Sequence, residues 1–592
     1  MEPAPVSDNK AYQRFLQRVK SDDERYDPEA RMIRRPFSSP GYHTALKDGF
    51  VHPTRDSLSY AITCLDAGDE EHRRRAEDIL HRVISLQDPD PNSKTFGIWP
   101  WYAEEPLEKM DAPDPNWADF CGASLIQVIL HHRDLVSEAV RREAEQSLRR
   151  ACEAIIRRDV GPGYTNIAVL GTYVTLVGGE TMGWKDVEAY GMKRLRRFYE
   201  YTIARKSFDE YNSPTYTRVA INELSRLLTD ARNPEAAPLV RELHEMAWIH
   251  LARRFHEPTR QWAGPHSRCY STLQGRDFVS FLQMASDGKL GFIPQDEVTA
   301  WPRQTTHMPD SVLPYFKPLI RPRTETEVFV PASESAPAVV GITYLHPKFA
   351  LGSVNHSMFW NQRRSVVAYW GTLEAPSYLH LRFLHDGYDF CSAWVFTTQR
   401  EDSLLAAVTL CTDGGDTHPS LDKVKDGRIN ASDLRLRLEI GGEAAKNVRS
   451  SDWSIAEPLD LTLGGLNLGI QMASGSFDGR GVWGRVLDRM EASSVFRPRP
   501  GQKQSTDAAA VDVILYTGPE RSFDLARLKP TFIGLALNVG TGDAKSPWAK
   551  VTEKKDLTLT WDLPAPLRLS APIGPLTGAE LLRRYGEITS AR

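Results

Sequence analysis

The apolar residues of this chain change their period once, near residue 300, and that change restricts the fold more than any motif does. Before it the spacing is helical. Ala76, Ile79, Leu80 and Val83 fall at i, i+3, i+4, i+7, and Ala220, Leu224, Leu227 and Leu228 at i, i+4, i+7, i+8. Each set puts one apolar stripe on one side of a helix. Similar stretches lie near 55–66, 117–133, 137–158, 165–178, 184–204, 234–254 and 274–286, broken at Gly68, Gly161-Pro-Gly163 and Gly178-Gly179. Beyond about residue 325 the period is two: Leu434, Leu436 and Leu438 alternate with Arg435, Arg437 and Glu439, and Leu557, Leu559 and Trp561 repeat the scheme. Alternation of this kind predicts antiparallel sheet with one wet face, while the apolar runs Val366–Trp370 and Phe532–Val539 predict strands covered on both sides. The expected organisation is a multidomain α+β chain: helices over 1–300, a Pro-rich linker over 301–325, and a large antiparallel β-sandwich over 326–592.

Composition excludes several classes of function. A formal net charge of −4 with 25% charged residues gives no field for general binding of nucleic acid or of an anionic membrane. The six cysteines are scattered without a C-x-x-C, which predicts a reduced compartment and no structural zinc. The start lacks a basic n-region followed by an apolar h-region, so a cytoplasmic protein is expected. His131 and His132 are adjacent and diverge on a helix, and G-x-S-x-G, H-E-x-x-H and G-x-G-x-x-G are missing. Neither a metal nor a cofactor is expected.

Two polar segments between helical patterns carry more chemistry than a connector needs. Phe208–Tyr216 holds Asp209, Glu210, Tyr211 and Tyr216, and Trp262–Tyr270 holds Trp262, His266, Arg268 and Tyr270. Rings cluster nearby in sequence, with Trp99 and Trp101 in Phe96–Tyr102 and Trp117 beyond. Sugar rings present apolar C–H faces that stack on such surfaces, which points to a carbohydrate ligand.

Helices followed by a sandwich, together with Gly163-Tyr-Thr-Asn-Ile-Ala168, Tyr211-Asn-Ser-Pro-Thr-Tyr216, Gly264-Pro-His-Ser-Arg268 and Phe349-Ala-Leu-Gly-Ser-Val-Asn-His356, resemble the α/α-toroid polysaccharide lyases, the heparinase II/III, alginate and chondroitin lyase group. The resemblance implies an incomplete toroid, an acidic poly- or oligosaccharide as partner, and cleavage by β-elimination. It implies an Asn that neutralises the substrate carboxylate, with Tyr and His transferring protons. Asn166, after the breaker Gly161-Pro-Gly163, suits the first role; its plain alternative is a helix N-cap. Pro214 would place Tyr216 in the first turn of a helix, and the turn Gly264-Pro265 would leave the His266 imidazole exposed. Tyr270 is the reserve proton carrier. Arg268, Trp99, Trp101, Trp117, Trp262, Tyr211, Glu210, His356 and Arg364 are the candidates for holding substrate, against core packing or interdomain hydrogen bonding as the plain alternative. A glycoside hydrolase using Asp209 or Glu210 with Asp111, Asp114 or Asp119 is the rival chemistry. A non-catalytic sugar-binding protein is the third reading.

Overall fold

In the computed structural model the described residues are 10–39, 42–298, 303, 305–414, 418, 420–422, 424, 426–490, 508–542, 549–553 and 556–590. The chain divides into two units. The first holds residues up to Glu210, Tyr216–Trp248 and Asp277–Ser311; the second holds Tyr211–Thr215, Ile249–Arg276 and Val312 onward. The segments 211–215 and 249–276 therefore belong with the strands and not with the helices that flank them in sequence.

The first unit is built from α1 (Lys10–Asp23), α2 (Thr54–Ala67), α3 (Glu70–Ile84), α4 (Trp117–His131), α5 (Glu138–Arg158), α6 (Thr165–Met182), α7 (Lys185–Arg205), α8 (Tyr216–Asp230), most of α9 (Ala236–Arg253) and α10 (Arg276–Ala285). Tight turns reverse the chain between partners: Gly68 and Gly183 end α2 and α6 in the left-handed region, at φ of 76° and 71°, which glycine adopts without strain. Pairs α2–α3, α4–α5 and α6–α7 result, and α2, α4, α6 and α8 pack in succession as an inner row, while α3 and α5 pack behind. This is an incomplete α/α toroid. The stripe Ala76, Ile79, Leu80 and Val83 is fully buried, each side chain stabilising the fold by about 1.5–3 kcal/mol, except the smaller Ala76. Helix α6 is buried along Thr165–Gly179, as a helix apolar on every side must be.

The second unit is a layered antiparallel structure. A ten-stranded sheet runs through Ser451–Trp453, Trp483–Met490, Ala508–Asp524, Arg428–Gly442, Pro376–His385, Val366–Gly371, Phe349–Val354, Val339–His346 and Arg323–Val330, with Tyr388–Asp389 paired beside Pro376–His385. It faces a six-stranded sheet that includes Ala393–Arg400, Ser403–Leu410 and Phe532–Gly540. Leu381, Phe383, Leu436 and Leu438 from one sheet meet Val395, Leu404, Val408 and Leu535 from the other in one core. A three-stranded sheet and α11 (Gly578–Ser590) pack on the outer face of the smaller sheet through Leu557, Leu559, Trp561 and Leu581.

Two expectations are corrected. The face bearing Arg437 and Glu439 is not wet: both are buried, because Arg437 pairs with Asp512 and Glu439 with Arg382, which also holds Asp389. Period two reports which residues share a face and cannot report whether charges on that face are paired and covered. The stretch 301–325 is not a plain linker either, since Asp310–Phe316 is a 3-10 helix and the strand Arg323–Val330 begins inside it; residues 301, 302 and 304 of that stretch lie outside the described residues.

Candidate functional site

In the helical unit the inner helices all begin at one end. Trp117 Nε1 at the start of α4 donates to Thr54 Oγ1 at the start of α2 (2.9 Å), and Asn116 Nδ2 donates to the Tyr164 hydroxyl that precedes α6 (3.2 Å). Asn166 N, on the second residue of α6, donates to Glu210 Oε2 (2.9 Å) in the segment that leads to α8. Each helix start presents N–H groups lacking intrahelical acceptors and about half a positive charge, and carboxylates of the chain take part of it here, Glu210 at α6 and Asp114 ahead of α4.

Side chains at this mouth provide an amide, a phenol, a cation and stacked rings. Asn166 Nδ2 also donates to Glu210 Oε2 (2.7 Å), which fixes the amide plane; Asn166 is 1% exposed, which corrects the expectation of an amide open to the cleft. Tyr216 is the first residue of α8 and half-buried; the exposed Arg55 guanidinium, 3.9 Å above the Phe120 ring, lies within range of its charge. The rings of Trp101 and Trp117, both half-buried, stack at 5.0 Å and 27°. Asp114 accepts from Asn116 N (3.0 Å) and Trp101 Nε1 (3.3 Å). Behind the mouth Asp119 is buried, and burial pushes its carboxyl up to about 7 against the pull of Arg194 and Arg158.

In the second unit Asn212 is the hub of the other polar segment. Its φ of 42° lies in the left-handed region, which Asn tolerates better than most residues. Its Nδ2 donates to the carbonyls of Ala263 (3.0 Å) and Pro265 (2.6 Å), and its Oδ1 accepts from Trp262 Nε1 (2.5 Å). The Asn212 carbonyl stands 2.8 Å from His266 Nδ1; with that nitrogen donating, Nε2 is the bare base, 3.3 Å from the Tyr369 hydroxyl. Tyr369 in turn donates to the Thr272 carbonyl (2.9 Å). Burial lowers the His266 pKa to about 3, so the ring is a neutral imidazole. The segment lies directly on the ten-stranded sheet: His266 and Arg364 exchange backbone hydrogen bonds (3.1 and 3.0 Å), and a Cβ at Gly352 would fall 2.0 Å from the Gly264 carbonyl oxygen.

The predicted site residues divide between the units. Asn166, Tyr216, Glu210, Trp101 and Trp117 gather at the helical mouth; His266, Tyr270, Arg268, Tyr211, Trp262, His356 and Arg364 belong to the second unit. Asn166 is inside its helix rather than at the cap, and Glu210 supplies the capping oxygen. Several expectations of exposure are corrected. His266 is 2% exposed, because the turn folds inward onto the sheet. Trp99 and Trp262 are fully buried, with Trp99 Nε1 spent on the Val83 carbonyl (3.0 Å), so neither can stack on a ligand. Tyr211 is buried with its ring parallel to Phe329 at 4.3 Å. Arg364 is buried and donates to Thr272 Oγ1 and to the carbonyls of Asn361 and Arg363. His356 is buried against the Tyr585 ring at 5.5 Å, and burial lowers its pKa to about 4. Arg268 and Tyr270 are half-buried; Arg268 Nε donates to Gln362 Oε1 (2.7 Å) and its guanidinium lies 4.7 Å over Trp360. Sequence reasoning missed Asn212, which reads as a turn residue, and Tyr369, which is hidden in an apolar run.

The sequence pattern of a family described as a domain of unknown function, DUF8769, matches residues 13–319. Among solved structures, the chain is similar to a crystal structure of heparinase III, with 9% identity over 90% of this chain and 84% of that one and a TM-score of 0.45. A heparinase III with methylated lysines is similar at 11% identity over 88% and 83%, with a TM-score of 0.36. Among curated proteins nothing matches.

Proposed function

Since the chain belongs to the DUF8769 family, whose description assigns no activity, we propose from its own residues that it is a polysaccharide lyase that cleaves uronic-acid-containing sugars by β-elimination. The observation that carries the proposal is the convergence of four inner-helix starts on one mouth that also holds Asn166, Tyr216 and the Trp101–Trp117 stack. What remains of the positive charge at the helix starts favours an anionic ligand, and the stacked indoles offer a flat face to a sugar ring.

In this reaction Asn166 hydrogen-bonds the substrate carboxylate and stabilises the charge that builds on it as C5 loses its proton. Tyr216, within range of the Arg55 charge, takes that proton. The electron pair left at C5 forms the C4–C5 double bond while the C4–O bond breaks, and the departing oxygen receives from Tyr216 the proton that Tyr216 took from C5; His266, buried and neutral in the second unit, has no part in the transfer. Mouth carboxylates act in this reading as acceptors: Glu210 orients Asn166, and Asp114 holds Trp101.

Incubation with uronate oligosaccharides tests it. Elimination raises the ultraviolet absorbance of a conjugated uronate, hydrolysis makes reducing ends without that band, and a binding protein makes neither. Tyr216→Phe and Asn166→Ala should each lower kcat by about 100-fold or more. Full activity in both, with loss in Glu210→Gln or Asp114→Asn, would replace elimination by hydrolysis.

A further inference from the structure

The helical unit contains a cavity of about 490 Å³ that none of the mouth residues Asn166, Tyr216, Glu210, Trp101 or Trp117 lines. Its wall is built on a regular pattern. Arg218, Asn222 and Arg226 repeat every four residues along α8 on one face, while Ala220, Leu224 and Leu227 bury the other. Eight residues of helix separate the two arginines by about 12 Å. On α4, Gln127 faces the same space and accepts from Arg303 Nη1 (3.0 Å), whose other nitrogens grip Asp66. On α10, the Phe281 ring is buried, stacked on Trp248 at 5.7 Å with the Arg218 guanidinium 5.0 Å from it.

Closing a helical ring asks only for small or apolar residues in its lumen, and arginines there carry a desolvation cost. Asp277 is the one carboxylate among the described residues that line the cavity, against Arg18, Arg218, Arg226 and Arg303. Three of these arginines are ion-paired, Arg218 with Asp277 (3.2 Å), Arg226 with Glu223 (2.9 Å) and Arg303 with Asp66 (2.6 Å), while Arg18 is exposed. The wall thus combines arginines held in place by carboxylates with the side-chain amides of Gln127 and Asn222, at a size suited to one or two sugar rings.

We propose that the lumen of the helical ring is a second binding site, separate from the mouth, for a short sugar that bears a carboxylate. The choice of a uronate as ligand rests on the lyase reading; the pattern of the wall does not. Titration calorimetry of the full chain with sodium glucuronate, glucose and inorganic phosphate tests it. Glucuronate should bind saturably, with glucose and phosphate each weaker by about tenfold or more. Arg226→Gln and Asn222→Leu should each weaken glucuronate by about tenfold at a temperature where both are folded, the arginine variant melting lower because Glu223 loses its partner, while Asn166→Ala and Tyr216→Phe leave this binding intact. Asn222→Leu guards against misfolding of the arginine variant. The proposal is overturned by three outcomes: no saturable glucuronate binding, phosphate binding as tightly as glucuronate, or loss confined to the mouth variants. If elimination is absent while lumen-dependent binding holds, the lyase reading falls alone. If elimination proceeds and both lumen variants bind like the wild type, the lumen site falls alone.

Discussion

Replacing Asn212 by Ala removes three side-chain hydrogen bonds at once in a residue that is 2% exposed. The Trp262 indole N–H loses the Asn212 acceptor in a fully buried position, at about 1–3 kcal/mol, and the Ala263 and Pro265 carbonyls lose a donor at about 1 kcal/mol each. The left-handed backbone at φ 42° adds about 1 kcal/mol, since Ala lacks the local hydrogen bonding that lets Asn occupy it. Together these predict a loss of about 4–6 kcal/mol, large even among core substitutions. Asn212→Gly deletes the same hydrogen bonds without the backbone strain and should be about 1 kcal/mol less damaging than Ala. Urea unfolding followed by tryptophan fluorescence measures both. A loss below about 1 kcal/mol for Ala, or a Gly variant less stable than Ala, would refute the reasoning.

At Gly341 an added Cβ would lie 1.9 Å from Phe329 Cε2, and Phe329 is pinned between Tyr211 (4.3 Å) and Arg254 (4.9 Å), so Gly341→Ala should cost about 1–3 kcal/mol in the same unfolding assay. Trp99→Ala should cost about 3–5 kcal/mol of stability, whereas Trp101→Ala should mainly raise KM for a uronate oligosaccharide; melting curves and initial rates separate the two. His385 sits between Asp422 (2.8 Å) and the Asn430 carbonyl (2.9 Å); burial, the largest single effect, opposes its charge, but the hydrogen bond and charge of Asp422, the Asn430 carbonyl and the charge of Asp386 together raise its pKa above 6.5. The stability this pair contributes is therefore full below pH 6.5 and lost as pH rises through the raised value. The melting difference between wild type and Asp422→Asn should shrink along that rise, and a pH-independent difference would contradict the assignment.

Much of the fold was legible because both periods are enforced by burial. The stripe Ala76, Ile79, Leu80, Val83 and the alternation Leu434, Leu436, Leu438 each face a core and nothing else. Burial of polar groups was not legible. Arg437, Glu439 and Arg364 look solvated in sequence, yet each is satisfied by partners remote along the chain, such as Asp512, Arg382 and Thr272. The same blindness affected Trp99, whose indole finds the Val83 carbonyl, and His266, whose turn folds onto strands about a hundred residues later. Asn166, Tyr216 and Trp117 were legible as helix-start residues because breakers precede them. Their gathering at one mouth follows from the up-and-down pairing of helices, which short turns at Gly68 and Gly183 make obligatory.

The mass balance of the products tests elimination most directly. When a purified uronate oligosaccharide is cleaved once, the masses of the two fragments should sum to the mass of the substrate, with the unsaturation carried by the fragment that keeps the uronate C4 and C5 and the glycosidic oxygen leaving on the other, and Tyr216→Phe should suppress both fragments together. Fragments that sum to the substrate plus one water would contradict elimination and assign the mouth to hydrolysis.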